Sequence, residues 1–595
     1  MTKVSDYIIK RIADLGVKHV FFLPGGGSMY LNDSLGSSSD VEGICMLHEQ
    51  AASIAAEAYA RITENYGVCM VTSGPGATNA ITGLTAAWLD STPVIFISGQ
   101  AKRADLIGSQ KIRQFGIQEV DIISIVKPIT KYAVQILDPD EIYYEFEKAI
   151  SFARNGRPGP VWIDVPMDVQ TSIVDEDQVR KYNSSDLITP ACVSDDIINV
   201  IEHLNRSKRP VILLGNGVRL SGAAKLVQPL VEVLKIPVLT TWNGIDLIED
   251  TNPYYFGRPG AVGIRYSNFI QQKADFVLSI GTRLNLLSTG FDYDSFLKNA
   301  YHVMVDIDKY EMKKKSVNPS MAVESDAKFF IEEILKNSIK INTNKESITK
   351  WLAVCNELKN KYGIMTEKND PPDDGISIYK FVDCLTDKMD GNDIFQFTSS
   401  GTAVDISMQS FKVKKGQRTF LTKGLASMGF DVPASIGSCL ASGGKRTVCV
   451  TGDGGFVMNI QELETLRRLS LPVKIFVIDN DGYSMIYASQ KNNFDGRLTG
   501  CTPSSGLTLP SVIKMANAFG IPSYSIEIYD PMDNIISDVL AHPGPVICRV
   551  KGSIAQPILP RQTNYRKPDG QMASLPLHEM SPPLDADEFN YVMKL

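Results

Sequence analysis

The sequence contains no uninterrupted apolar run of 18 residues, so it offers no candidate membrane span. Its nine cysteines include no Cys-x-x-Cys pair. An odd, scattered set argues against a disulfide framework or a zinc site and points to reduced thiols in a cytoplasmic compartment. No Gly-x-Gly-x-x-Gly follows a strand-like run, which sets aside a nicotinamide-type oxidoreductase. Positive charge is not in excess either: the formal net charge is −7, which excludes a nucleic-acid or anionic-membrane surface. Lys313, Lys314 and Lys315 read as a solvated face. The opening stretch MTKVSDYIIKRIADLG is amphipathic and too polar for a secretory signal.

What is present is an ordinary globular composition, 44% hydrophobic and 21% charged over 595 residues. That length corresponds to about three to four domains. Strand-like runs such as 17–23, 67–73, 93–99 and 160–166 alternate with helical patterns, the signature of α/β folds with doubly wound parallel sheets. Composition shifts at 171–195 and again at the charged, Pro-rich 367–375, which read as linkers. Three blocks follow, 1–180, 190–340 and 376–552, with a Pro-rich tail at 553–595. Pro-Gly-Pro-Val precedes an apolar strand near the end of both outer blocks, at 157–166 and 542–550. Two copies of one fold flanking a different middle block would produce that echo, although the tetrapeptide is also a common strand opener.

The most informative stretch is 452–480. Gly452, Asp453, Gly454 and Gly455 follow an apolar strand, an amphipathic helix comes next, and a second apolar strand ends at Asp479-Asn480. A strand end, a glycine turn and a helix start aim backbone N–H groups at a phosphate. Asp453 and, 27 residues later, Asn480 supply hard oxygens for a small cation whose remaining ligands come partly from phosphate. The plain alternative is a βαβ unit whose glycines only tighten a turn. Two further glycine-rich strand-to-helix turns, LPGGGSMY at 23–30 and TSGPGATNAITGL at 72–84, flank the Ala-rich helical segment 48–61, which carries Glu49 at its start. By itself Glu49 is a first-turn acid suited to the helix dipole. Facing a crevice at the carboxyl edge of a parallel sheet, it becomes a functional candidate.

The segments LPGGG, HEQAA…AYAR, TSGPGATN, DSTPVIFISGQ, RPGPVWIDVP and GDGG…DN, in that order, resemble the acetohydroxyacid synthase (acetolactate synthase) family of thiamine diphosphate enzymes over roughly residues 1–555. The resemblance implies a pyrimidine-binding domain, a central domain and a diphosphate-binding domain. It matches Glu49 to the carboxylate that hydrogen-bonds the cofactor's aminopyrimidine ring, among apolar or small neighbours. Asp453, Asn480 and the Gly482 carbonyl match the Mg²⁺ ligands. Met428 falls where a bulky side chain bends the cofactor, although plain core packing also explains it. TSSGTA, with Ser400, Gly401 and Thr402, looks like a second diphosphate loop, and Gly25, Gly26, Pro75, Asn79 and Met485 complete the implied cofactor set. Arg157, Gly215, Gly217, Thr241, Gly281, Arg283 and Asp306 fall where FAD-holding members contact the flavin, and a domain of this ancestry can also keep such loops without it. The resemblance further implies a homodimer or homotetramer whose active site is shared between chains.

The departures concern the substrates. Gln118 is kept beside the donor site, but Ile117 replaces a phenylalanine, Met167 a lysine, Leu287 an arginine and Ser489 a tryptophan. In the family that arginine receives the carboxylate of the acceptor 2-oxo acid. Its loss removes a bidentate clamp, so the expected reaction decarboxylates pyruvate or a similar 2-oxo acid and passes the acyl unit to a bulkier or uncharged carbonyl. A branch of the family that resembles this chain in its Gly-x-Arg-Leu-Asn segment and long tail uses a nucleotide-linked keto-sugar. Acetolactate synthesis proper, simple decarboxylation and a non-catalytic cofactor-binding role are the alternatives. The tail reads as either a lid or an interface arm.

Overall fold

The structure is a computed structural model and describes residues 1–183 and 189–595; part of the first linker expected at 171–195 lies outside the described residues. Three parallel sheets form the body of the molecule, and three two-stranded antiparallel pairs accompany them among the described residues. In the first, strands run in the order Glu42–Cys45, His19–Phe22, Gly67–Val71, Val94–Gln100, Val161–Pro166, Tyr132–Gln135. In the third, the order is Arg418–Phe420, Ile394–Phe397, Thr447–Gly452, Val473–Asp479, Val546–Lys551, Ser523–Ile526. Numbered along the chain, both orders read 2-1-3-4-6-5, so the outer sheets share one topology. The Pro-Gly-Pro-Val segments open the sixth strand of each, Val161–Pro166 and Val546–Lys551. The middle sheet has five strands, ordered Val238–Thr240, Pro210–Leu214, Phe276–Ile280, Tyr301–Asp306, Met321–Glu324. The inner strands are buried on both faces, which is why they read as unbroken apolar runs.

Helix Glu49–Thr63 joins the outer blocks. Its alanines expose backbone on two sides. A Cβ added at Gly67 would lie 2.0 Å from the Ala56 carbonyl oxygen, and one added at Gly437 would lie 2.1 Å from that of Ala55. The helix is therefore in backbone contact with its own sheet and with helix Asp431–Ala441 of the third block. One apolar core runs through this contact, from Ile95 and Ile97 to Ile436, Leu463 and Ile475.

One element differs from the expectations. The helical segment after Asp453 is broken into Asp453–Val457 and Glu462–Arg468, because Asn459 turns its Nδ2 to the Gly429 carbonyl at 2.6 Å. The tail packs on its own chain: Leu577 and Val592 are buried in the core of the middle block, and helix Ala586–Lys594 lies on that block. Helix Lys345–Lys361 packs there too through Trp351, Cys355 and Leu358. Among the described residues, no helix is long and apolar enough to cross a membrane.

Replacing Gly437 by valine is expected to lower the thermal unfolding midpoint sharply, with a cost of about 3 kcal/mol. Gly36→Ala, at a position with nothing within 4 Å, should leave the midpoint unchanged. Equal midpoints for the two variants would contradict the close helix approach.

Candidate active site

Two consecutive strand ends of the third block are knitted together by one carboxylate. Asp453 follows the buried strand Thr447–Gly452 and starts the next helix. Its Oδ1 accepts from the Gly454 N–H at 2.7 Å, and its Oδ2 from the N–H groups of Asn480 at 3.0 Å and Gly482 at 3.3 Å. The chain turns between those two donors through Asp481, which adopts φ 58°. Burial pushes the Asp453 carboxyl up to about 7, and Asp479 adds to the shift. Asn480 Oδ1 is buried with no hydrogen-bond partner. A buried carboxyl and an orphaned amide oxygen on one turn form a donor set suited to a hard cation.

Around this pair lies a cleft of about 730 Å³. It gathers Ser400, Gly401, Thr402, Met428, Gly452, Asp453, Gly454, Gly455, Asn480, Gly482 and Met485, all the residues that the sequence assigns to diphosphate and metal. Gly401 adopts φ 81°, a conformation open to glycine, and Thr402 Oγ1 pairs with Ser484 Oγ at 2.5 Å. A Cβ at Gly454 would lie 2.3 Å from Tyr483 Cε1, so a larger residue there would close the cleft. Sequence reasoning missed Asp431. Its buried carboxylate accepts from Thr398 Oγ1 at 3.0 Å, from the Ser399 N–H at 3.1 Å and from Thr451 Oγ1, which binds the two diphosphate loops to each other. Burial pushes it up to about 6. An acid in the apolar segment GFDVPASIG was the available signal.

The first block gathers a second set. Glu49 is 7% exposed at the start of its helix, and His48 Nδ1 caps that helix by accepting from the Gln50 N–H at 3.0 Å. Glu49 Oε2 accepts from Asn79 Nδ2 at 3.0 Å, and a Cβ at Gly76 would lie 3.4 Å from Oε1. Gly25 packs against Thr72, whose Oγ1 accepts from the Gly27 N–H at 3.1 Å, and Gly26 faces open space. Pro75 opens the short helix that carries Asn79. Gln118, with φ 59°, lays its carbonyl against Gly74 and is itself exposed. Ile117 beside it is 90% exposed. None of these residues lines the Asp453 cleft of the same chain.

A third cavity, about 1070 Å³, lies at the carboxyl ends of the middle sheet's strands. It brings together Arg157, Gly217, Thr241, Gly281, Arg283 and Asp306. Gly215 stands behind it, because a Cβ there would lie 2.3 Å from the Gly281 carbonyl oxygen. Thr282 Oγ1 is buried there without a partner, and burial pushes Asp306 up to about 6. Arg283 and Leu284 both take left-handed φ values, 53° and 48°. Arg157 donates to Asp308 and Glu311, each at 2.9 Å. An orphaned hydroxyl among turn backbones fits a nucleotide-bearing ligand such as FAD.

Family models match in three stretches. Residues 2–125 match the thiamine pyrophosphate enzyme N-terminal TPP binding domain, 197–334 the central domain, and 399–550 the C-terminal TPP binding domain. The chain belongs to the thiamine pyrophosphate enzyme family. It is 34% identical over 548 residues to a probable acetolactate synthase large subunit of Methanococcus aeolicus, covering 90% of both chains. It is 33% identical over 553 residues to the acetolactate synthase large subunit of Cyanidium caldarium, covering 91% of both. With acetolactate synthase isozyme 1 large subunit of Escherichia coli K12 it shares 29% over 556 residues, covering 93% of this chain and 95% of that one. This member is a thiamine diphosphate-dependent, acetolactate synthase-like enzyme.

Asp453→Asn and Asn480→Ala are expected to weaken Mg²⁺-dependent binding of thiamine diphosphate by about a hundredfold, roughly 3 kcal/mol, in calorimetric titrations. Glu49→Gln should leave the Mg²⁺ dependence intact. Unchanged cation dependence in both Asp453→Asn and Asn480→Ala would remove this turn from the metal site.

Proposed function

We propose that this enzyme decarboxylates pyruvate or a similar 2-oxo acid and transfers the acyl unit to a carbonyl acceptor larger than a simple 2-oxo acid, of which a nucleotide-linked keto-sugar is one example. The observation that carries this reading is Leu287. It lines the middle cavity and not the Asp453 cleft of its own chain, and where the family's arginine would offer a charge to an acceptor carboxylate its side chain offers none. Ser489 sits exposed on helix Ser484–Asn493 and leaves space where a tryptophan would fill it.

When bound, thiamine diphosphate supplies the nucleophilic carbon and the electron sink that decarboxylation needs. The chain supplies the rest. Asp453, Asn480 Oδ1 and the Gly482 carbonyl would hold Mg²⁺, and the 400–402 and 452–455 turns would receive the diphosphate. Met428, at the cleft wall, props the cofactor. Glu49, fixed by Asn79, would hydrogen-bond the aminopyrimidine ring. Gln118 orients the donor. FAD in the middle cavity would be held by Arg157, Thr241, Gly217 and the 281–283 turn and would have a binding role without redox use.

Glu49 and the Asp453 cleft belong to different edges of the chain, and both edges carry exposed apolar side chains. Ile117 and Phe115 flank one; Met485, at 39%, and Ile486, at 45% exposed, flank the other. Helix Ser484–Asn493 buries only Ser484. Two copies related by a two-fold axis would cover these edges and bring Glu49 of one chain over the cleft of the other. A homodimer is thus the smallest active unit, and a homotetramer of such pairs is compatible with it.

Purified protein with pyruvate, Mg²⁺ and thiamine diphosphate should consume pyruvate slowly alone and faster with a keto-sugar acceptor. Abundant acetolactate without another acceptor would contradict the reading of Leu287. Glu49→Gln is expected to lower turnover by about 10²–10⁴-fold with the fold intact. Undiminished turnover in that variant would remove Glu49 from the mechanism.

A further inference from the structure

A cavity of about 670 Å³ opens where all three blocks meet, beside the middle cavity, with which it shares Pro158, Asn216 and Leu220. The first block contributes Arg61, Glu64 and Arg154, the second Arg219 and Asp246, and the third Arg418. The Glu64 carboxylate is held by guanidinium groups of the other two blocks: its Oε1 accepts from Arg219 Nη1 at 2.7 Å and from Arg418 Nη1 at 3.0 Å. Behind it, Asp246 accepts from Arg219 Nη2 and from Arg418 Nε, each at 2.9 Å. The Asp246 side chain is 1% exposed and that of Glu64 38%, so Asp246 is a fixture and Glu64 is within reach of solvent.

The charges in this cavity do not cancel. Arg154 has neutral partners, Asn65 Oδ1 at 3.1 Å, the Glu64 carbonyl at 2.8 Å and the ring of Tyr66. Arg61 is matched by Glu57 and Asp90 within its own block. Arg154, Arg219 and Arg418 thus face only two carboxylates. Arg219 Nε is buried with no hydrogen-bond partner. Glu64 itself sits at the end of helix Glu49–Thr63 with φ 54°, a conformation unfavourable for any residue but glycine. The backbone is thus strained where it delivers a carboxylate between two arginines. Ala60, Pro93, Pro158, Leu220 and Phe420 add apolar surface.

We propose that this junction binds a small carboxylic acid with an apolar body, whose carboxylate takes the place of that of Glu64 between Arg219 and Arg418. A guanidinium fork suits a planar carboxylate, as the Glu64 and Asp246 contacts already show. The apolar body lies against the proline, leucine and phenylalanine surface. None of Glu49, Asp453 and Asn480 lines this cavity, so its occupancy is distinct from binding at the cofactor cleft. One ligand touching three blocks stabilises their joint arrangement by mass action.

The test is calorimetric titration of the holoenzyme with isovalerate, an acid without the oxo group of a donor substrate, and in parallel with inorganic phosphate. Isovalerate should bind saturably. Glu64→Gln removes the internal competitor and should tighten binding about tenfold, while Arg154→Gln should weaken it about tenfold. Binding elsewhere in the molecule would be indifferent to both substitutions. No saturable binding to either the parent or the Glu64→Gln protein, equal affinity in all three proteins, or tighter binding of phosphate than of isovalerate would overturn the proposal.

Discussion

Helix Glu49–Thr63 is gripped by backbone contact on both sides, by its own sheet at Gly67 and by helix Asp431–Ala441 at Gly437. That double contact sets the arrangement of the outer blocks, and the rest of the molecule follows from it. The Leu47 N–H reaches Glu462 of the third block at 3.0 Å, and the Cys45 carbonyl accepts from Arg468 at 2.7 Å. At its far end, Arg61 passes through a buried group of Glu57 and Asp90 to the Leu421 carbonyl at 3.0 Å. Burial pushes Glu57 up to about 7. The helix is tied to the third block at both ends, and its first residue is Glu49.

The outer blocks are two copies of one topology with different chemistry on the same edge. In the first, the turns after the strands converge on a carboxylate, Glu49, with Asn79 beside it. In the third, the corresponding turns converge on Asp453, with Asn480 and Gly482 folded onto it. On the function proposed above, each edge would supply half of what thiamine diphosphate chemistry requires, an acid for the ring and a cation seat for the diphosphate. The middle block brings its own crevice and is braced by the tail, through Leu577, Val592 and the Pro582 carbonyl, which accepts from Arg265 Nη2 at 2.9 Å.

Features set by local chemistry were legible in the sequence. The fully buried strands read as apolar runs, and the glycine turns as strand-to-helix junctions. The echo of Pro-Gly-Pro-Val marked a true topological repeat. Features that depend on distant partners were not legible. Asn459 breaks a helix by binding the Gly429 carbonyl 30 residues away. Asp431 has its role only through Thr398, Ser399 and Thr451, which close on it from other segments. Helix Lys345–Lys361 and the tail carry little pattern of their own because their apolar residues are sparse and are completed by the middle block. The arginine junction at Glu64 draws on three blocks and leaves no local signature at all.

The shared site is tested most directly by mixing two inactive proteins. Glu49→Gln and Asp453→Asn each disable every site in their own homodimers. After subunit exchange at equal concentrations, mixed dimers hold one intact site and one doubly defective site, so about a quarter of parental activity should return. No recovery of activity, in a mixture where mixed dimers are shown to have formed, would contradict a site built across two chains.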